Sequence, residues 1–199
     1  PLVKSSADLE ALRYLFPQPR KDLLADLPLM IQEIGERGLV AAYDCTHVGS
    51  WGMEVLGVEE RLLCSVTDSD LLHGVCRMTR DSHLRNLRAM LEQGCEVVFD
   101  SWFQCSLSVG WSPDSIRTFF LPLIRETADL AHEFGALYIV YDAGRMRDLA
   151  TDLVEAGADV LSGLQPPPIG DVTLRELKAQ YGKRVALMGG IDPCYVFDT

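Results

Sequence analysis

Gly94-Cys95-Glu96-Val97-Val98-Phe99-Asp100-Ser101 reads as a glycine stop, a short apolar run and a polar step. Val97-Val98-Phe99 is continuously apolar, the pattern of a parallel strand covered on both faces. Before it, Leu71, Val75, Met78, Leu84, Leu87 and Leu91 recur at helical spacing. Gly94 suits the position just past such a helix, and Thr67-Asp68-Ser69-Asp70 has the spacing of a capping box at its start. A long helix therefore feeds a buried strand.

The same alternation continues on both sides. Toward the C-terminus, Ser112-Pro113-Asp114 supplies an N-cap, a proline and an acidic first turn for a helix running to about Phe134. Gly135 stops it, and Ala136 to Tyr141 is the next strand. A helix from Arg147 to Glu155, a strand from Ala158 to Leu161, a Pro-rich loop at Gln165 to Pro168 and a helix from Asp171 to Tyr181 follow. Arg184 to Met188 is the last strand, ending in Gly189-Gly190. Toward the N-terminus lie short helical pieces, Trp51 to Leu56 and Glu59 to Leu63, and a buried strand, Leu39 to Tyr43. Before that strand come a helix from Lys21 to Arg37 that Pro28 would kink or split, and one from Ser6 to Leu15 with Ser6 as N-cap.

Strand–helix units of this kind imply a parallel α/β sheet with helical crossovers. Open doubly wound sheets and closed (β/α)8 barrels both fit. The five strands cannot close an eight-stranded barrel, which typically needs roughly 250 residues. The chain is either an open sheet or part of a barrel.

Composition narrows the function classes. The 199 residues hold 18 Lys plus Arg against 29 Asp plus Glu, a net charge of −11. That balance argues against a general nucleic-acid or anionic-membrane binder, which needs a basic surface. An acidic small molecule remains possible, because a few arginines can gather locally in an acidic protein. Apolar residues make up 48% and charged residues 24%, ordinary for a globular chain. No stretch reaches the roughly 20 apolar residues of a membrane span. Pro1-Leu2-Val3-Lys4 has no apolar signal region, and the missing initiator Met suits a piece cut from a longer chain. Cys45, Cys64, Cys76, Cys95, Cys105 and Cys194 form no C-x-x-C pair and read as reduced thiols of a cytoplasmic protein.

In either architecture, ligands bind at the carboxyl ends of the strands. Those ends are Tyr43-Asp44-Cys45-Thr46-His47, Asp100-Ser101-Trp102, Tyr141-Asp142-Ala143-Gly144-Arg145, Leu161-Ser162-Gly163 and Gly189-Gly190-Ile191-Asp192. Asp residues there can cap the next helix or serve a site. Asp100 follows a wholly apolar strand, so it needs a partner or a raised pKa. Asp142 and Arg145 have the spacing to pair. Tyr43 can donate a phenolic hydrogen bond or cover the core. His47 is an acid or ligand candidate in a polar loop, whereas His73, His83 and His132 sit on helices and read as surface residues. Cys45-x-His47 is the one close Cys/His pair, and a metal would still need more ligands. Trp102, Phe103 and Trp111 crowd one loop, as a pocket wall or as packing. No G-x-G-x-x-G or phosphate-binding loop supports a nucleotide.

Several segments together resemble the uroporphyrinogen decarboxylase superfamily, whose members are (β/α)8 barrels. They are Val3 to Leu9, Gly94 to Ser101, Ser112-Pro113 with Phe119-Phe120-Leu121-Pro122, Ala156-Gly157-Ala158-Asp159-Val160, and Leu187 to Cys194. The resemblance implies an α/β (β/α)8 TIM-barrel type fold. The chain, 1–199, would be one partial domain covering roughly the middle and later strands. It maps the family's strand-end Tyr onto Tyr43 and its Ser onto Ser101. The Pro-aromatic-Thr run before that Tyr is here Leu39-Val40-Ala41-Ala42, and the Gly-Asn pair is Gly189-Gly190, so the member is divergent.

The resemblance implies a carboxy-lyase that removes acetate carboxyl groups from a tetrapyrrole without a cofactor. The catalytic set would be Tyr43, Asp100, Ser101 and Asp142, with Arg145, His47 and Trp102 binding substrate. The superfamily also holds corrinoid-dependent methyltransferases, which act with a corrinoid protein and bind zinc through H-x-C after the strand that ends here at Tyr141. Tyr141-Asp142-Ala143 stands there instead, which disfavours zinc, so no metal site is expected. A non-catalytic paralogue is the third alternative. Missing strands would leave apolar sheet edges that a homodimer or a second chain would cover.

Overall fold

Asp68 begins the longest helix. Its carboxylate accepts from the Leu71 NH at 3.1 Å, so the cap lies one residue past Thr67. Thr67 instead ends the preceding helix, its hydroxyl donating to Leu63 O at 2.9 Å. The computed structural model describes residues 2–191 except 17, 18, 20, 21, 23, 45, 46 and 48. Cys45, Thr46, Asp192, Pro193 and Cys194, singled out above, lie outside the described residues.

In chain order the helices are α1 (Ser6–Leu12), α2 (Leu27–Ile34), α3 (Trp51–Leu56), α4 (Val58–Thr67), α5 (Ser69–Leu91), α6 (Pro113–Phe119), α7 (Leu121–Glu133), α8 (Ala150–Glu155) and α9 (Leu174–Tyr181). The strands are β1 (Ala41–Ala42), β2 (Val97–Ser101), β3 (Leu137–Asp142), β4 (Val160–Gly163) and β5 (Ala186–Gly189). Strand order equals sequence order, β1 to β5. The pairs β1–β2, β3–β4 and β4–β5 are parallel. Sequential parallel pairing with intervening helices is the winding of a (β/α)8 barrel, of which five strands are a part.

The chain forms two compact units. One comprises residues 1–98 and 129–136, the other 99–128 and 137–199. In the first, α5 buries Leu71, Leu72, Val75, Leu87 and Leu91. Gly94 follows with φ +96°, the left-handed turn its sequence position implies. Asp8 reaches back to the Lys4 and Ser5 NH groups, both at 2.9 Å, so the first helix is tied down through Ser5 and not through Ser6. Pro28 sits in the first turn of α2 and starts that helix, since proline there loses no helical bond. The strand read over Leu39 to Tyr43 shrinks to Ala41–Ala42. Leu39, Ala41 and Tyr43 are exposed while Ala42 and Asp44 are buried, so its faces alternate.

In the second unit, Ser112 caps α6 by accepting from the Ser115 NH at 3.0 Å. The single helix expected to Phe134 breaks at Phe120. Pro122 supplies no NH there and restarts the chain as α7. Thr173 and Glu176 form a reciprocal capping box on α9. Phe120, Ile124, Tyr138, Val140 and Leu161 are almost wholly buried and form the core between these helices and the sheet.

Candidate functional site

Neighbouring residues of a strand point to opposite faces, and this alternation sorts the strand-end residues of the second unit. On β3, Tyr138, Val140 and Asp142 are buried, while Leu137 is exposed and Ile139 and Tyr141 are partly so. On β2, Asp100 is buried and Phe99 and Ser101 are partly exposed. The rings of Phe99 and Tyr141 lie 5.8 Å apart on the more open face. Register aligns Tyr141 with Ser162, and Ser162 with Met188. Parallel partners share a face, so Ser101, Tyr141, Ser162 and Met188 lie on one side, where Ser101 and Tyr141 are partly exposed and Met188 is exposed but Ser162 is buried.

Asp100 belongs to the helix-facing set. Its Oδ2 accepts from the Tyr138 hydroxyl at 3.0 Å and from Trp102 Nε1 at 3.0 Å. Trp102 Nε1 is also 3.2 Å from the Tyr138 oxygen, and Trp102 is 3% exposed. Burial, with the Asp100 charge next, pushes the Tyr138 hydroxyl well above the usual phenol range, so it stays a donor. Asp100 is thus held inside the sheet–helix layer by two rings. Tyr138 was missed by sequence reasoning; its signal was a polar ring near the start of a strand, on the same face as Val140 and Asp142.

Asp142 also faces the helices. Burial raises its pKa well above the carboxylate value, and the Ala143 NH and Ser106 hydroxyl oppose this only in part. The pairing expected between Asp142 and Arg145 gives way to another. Arg145 is exposed with Nε 3.9 Å from Asp171 Oδ2. Its NH donates to Ser108 Oγ at 2.9 Å, and the Met146 and Arg147 NH groups donate to Asp171 Oδ1. Asp171 therefore shapes the loop after β3. Gly163, at φ +97°, lets that strand end close: a Cβ there would lie 2.0 Å from Asp142 O.

The crowded loop resolves into packing. Trp111 meets Phe120 edge-on at 4.7 Å and donates Nε1 to Gln104 O, and Trp102 lies 6.4 Å from Phe120. The side chain of Phe103 lies outside the described residues.

In the first unit, Tyr43 is half exposed at 49% and Asp44 is buried. Asp44 accepts from Asn86 Nδ2 at 3.0 Å and stands 3.0 Å from His83 Nδ1. His83, read from the sequence as a surface residue, is buried, with its Nδ1 against that carboxylate. His47 is likewise enclosed; its Nδ1 accepts from the Gly49 NH at 3.0 Å, and its ring meets His83 edge-on at 5.3 Å. Arg61 is also fully buried and reaches Gly49 O at 3.4 Å. His73 is partly exposed and His132 is exposed.

Comparison with known proteins now places the chain. The sequence profile of the uroporphyrinogen decarboxylase (URO-D) family matches residues 52–199. The chain belongs to the uroporphyrinogen decarboxylase family. No curated protein matches it. Among solved structures it resembles a methyltransferase from Methanosarcina mazei, with a TM-score of 0.70 and 18% identity. The match covers 84% of this chain and 47% of that one, so this chain spans about half that protein's length. At that identity the likeness shows the fold.

Within the uroporphyrinogen decarboxylase family, zinc-binding members are expected to offer an imidazole and a thiolate after β3. Here Tyr141, Asp142 and Ala143 stand at those places. Asp142 faces the helices, and the Tyr141 phenol is a poor zinc donor beside a thiolate. These residues do not fit zinc. Among the described residues, no group of three His, Cys, Asp or Glu could hold a metal ion. None of Cys64, Cys76, Cys95 and Cys105 forms a disulfide, and burial pushes the Cys76 thiol up to about 12 despite Arg61 and Arg77 nearby. No helix among the described residues is long and apolar enough to cross a membrane.

Proposed function

We propose that this family member decarboxylates carboxylate-bearing side chains of a tetrapyrrole, with 1–199 forming part of its barrel. The observation that carries this reading is the open face at the ends of β2 and β3. It offers the hydroxyls of Ser101 and Tyr141 beside the Phe99 ring. Hydroxyls hydrogen-bond carboxylates, and aromatic rings suit a flat ligand.

In this reading Ser101 and Tyr43 hold substrate carboxylates, and Arg145 adds positive charge from the loop after β3. Protonation of a pyrrole carbon makes the ring an electron sink. The bond to the carboxylate carbon breaks, carbon dioxide leaves, and the electron pair enters the ring. The remaining methylene then takes a proton and becomes a methyl group as the ring loses its own. No cofactor is needed for those steps. Asp100 and Asp142, both helix-facing, act on this chemistry by fixing strand ends. Asp100 does so through Tyr138 and Trp102, and Asp142 from beneath the loop after β3. Trp102 and His47 act through the walls they build. Unbridged, buried thiols support a cytoplasmic setting.

Methyl transfer with a corrinoid protein is the second reading, favoured by the methyltransferase with the similar fold. One experiment separates the two. The protein is incubated anaerobically with uroporphyrinogen, and the products are followed by mass spectrometry for stepwise loss of carbon dioxide. Loss that falls in Ser101→Ala supports decarboxylation. Intact substrate, with demethylation of methylcobalamin by the same preparation, supports methyl transfer. Inertness in both assays favours a non-catalytic paralogue.

A further inference from the structure

A second opening lies in the first unit, where α1 and the turn after it cross α5. Gly74 sets the crossing. A Cβ there would lie 2.4 Å from Leu9 Cδ1, so glycine leaves room for the Leu9 side chain against α5. Beyond the crossing the two segments leave a groove of about 730 Å³, within the usual range of small-molecule pockets. Leu9, Tyr14, Phe16 and Met78 give it an apolar side. Phe16 is anchored by Trp51, 4.9 Å away, whereas Tyr14 is 89% exposed.

The polar side is unusual for a chain of net charge −11. Arg77, Ser82 and Arg85 line the groove from one face of α5. Positions 82 and 85 are neighbours on a helix surface, and 77 lies about 12 Å along the axis from 85. Ser82 is 1% exposed, and among the described residues neither its hydroxyl nor Arg85 Nε has a hydrogen-bond partner. Asp81 also lines the groove, but its carboxylate is taken by Arg80 at 2.9 Å; Glu10 stands on the α1 side. A buried hydroxyl and a guanidinium with an open Nε are costly to leave unsatisfied. Both hydrogen-bond a phosphate or carboxylate well.

We propose that this groove is a second ligand site, separate from the strand-end face. Its ligand is a small anion carrying an aromatic or similarly flat apolar body. The anionic group sits at Arg85 and Ser82, with Arg77 adding charge from the next turns. The apolar body lies between Tyr14 and the Leu9–Met78 surface.

The test is titration calorimetry of the protein with phenyl phosphate, inorganic phosphate and phenol at constant ionic strength. Phenyl phosphate should bind at least tenfold more tightly than either fragment. Arg85→Gln should weaken phenyl phosphate and inorganic phosphate alike, by tenfold or more, and Arg85→Lys should restore part of the loss. Tyr14→Ala, at an exposed position that folding does not need, should weaken phenyl phosphate and leave inorganic phosphate unchanged. Equal binding of all three probes would overturn the proposal. So would unchanged affinity in Arg85→Gln shown to be folded by circular dichroism. If Arg85→Gln does not fold, Tyr14→Ala with Arg77→Gln decides by the same comparison.

Discussion

Replacing Tyr138 by Phe removes one oxygen from the interior and leaves the ring in place. That oxygen donates to Asp100 at 3.0 Å inside a fully buried pair. A hydrogen bond to a charged group contributes about 1.5–3 kcal/mol, and the larger part falls due when the partner stays buried without it. Trp102 Nε1 still serves the same carboxylate oxygen at 3.0 Å, which moderates the loss. The expected destabilisation is therefore about 2 kcal/mol. With a urea m-value of ~2 kcal/mol/M, the midpoint falls by ~1 M and the slope is unchanged. The assay is urea unfolding followed by Trp fluorescence, with Asp100→Asn alongside. Asn can place its carbonyl oxygen where both donors meet, but it loses the negative charge and puts an NH2 at the buried Oδ1 position, so it should lose roughly 1–3 kcal/mol. A midpoint shift below ~0.25 M in Tyr138→Phe would refute the argument that this hydroxyl holds Asp100. Full stability of Asp100→Asn with lost turnover would make Asp100 a reacting group after all.

Three further outcomes follow from the same geometry. Asp142 has a folded-state pKa raised above its unfolded value, so its contribution is present below that unfolded value and is lost as pH rises through the folded one. Asp142→Asn should therefore be the more stable protein at neutral pH, with the gap closing toward pH 4; urea titrations across that range check it, and a variant less stable at pH 7 would contradict it. Gly163→Ala forces a Cβ to within 2.0 Å of a backbone oxygen at a positive φ, and should cost roughly 3 kcal/mol or more, read as a lowered melting temperature or loss of soluble protein. Ser101→Ala and Tyr43→Phe should each lower kcat/KM for decarboxylation by roughly 10- to 100-fold, one hydrogen bond to a carboxylate. Their melting temperatures should stay close to the parent's, and a matching collapse of stability would assign them to packing.

Glycines and prolines made the order of elements readable. Gly94 at φ +96° and the Ser112-Pro113 start stand where their sequence signals put them. The element ends were less legible, because caps compete locally. Thr67 and Asp68 both suit an N-cap, and Asp68 took the role only once α4 had claimed Thr67. The segment after Pro122 could not be told from a continuation of α6 by periodicity, since both keep the same apolar stripe.

The site divided along a different line. The sequence alone determined that carboxylates and hydroxyls gather at strand ends, because in a parallel α/β chain the polar residue after each apolar run must lie there. It also determined that Asp100 and Ser101 point opposite ways, because a strand alternates. Which of the two faces the helices was decided only by tertiary packing. Tyr138, 38 residues away from Asp100 in sequence, and the Trp102 indole supply the donors that make burial of that carboxylate tolerable. In the same manner Asn86 and His83, on a helix read as polar surface at that point, close over Asp44. A charge goes inside where distant donors meet it, and no local pattern in the chain records that meeting.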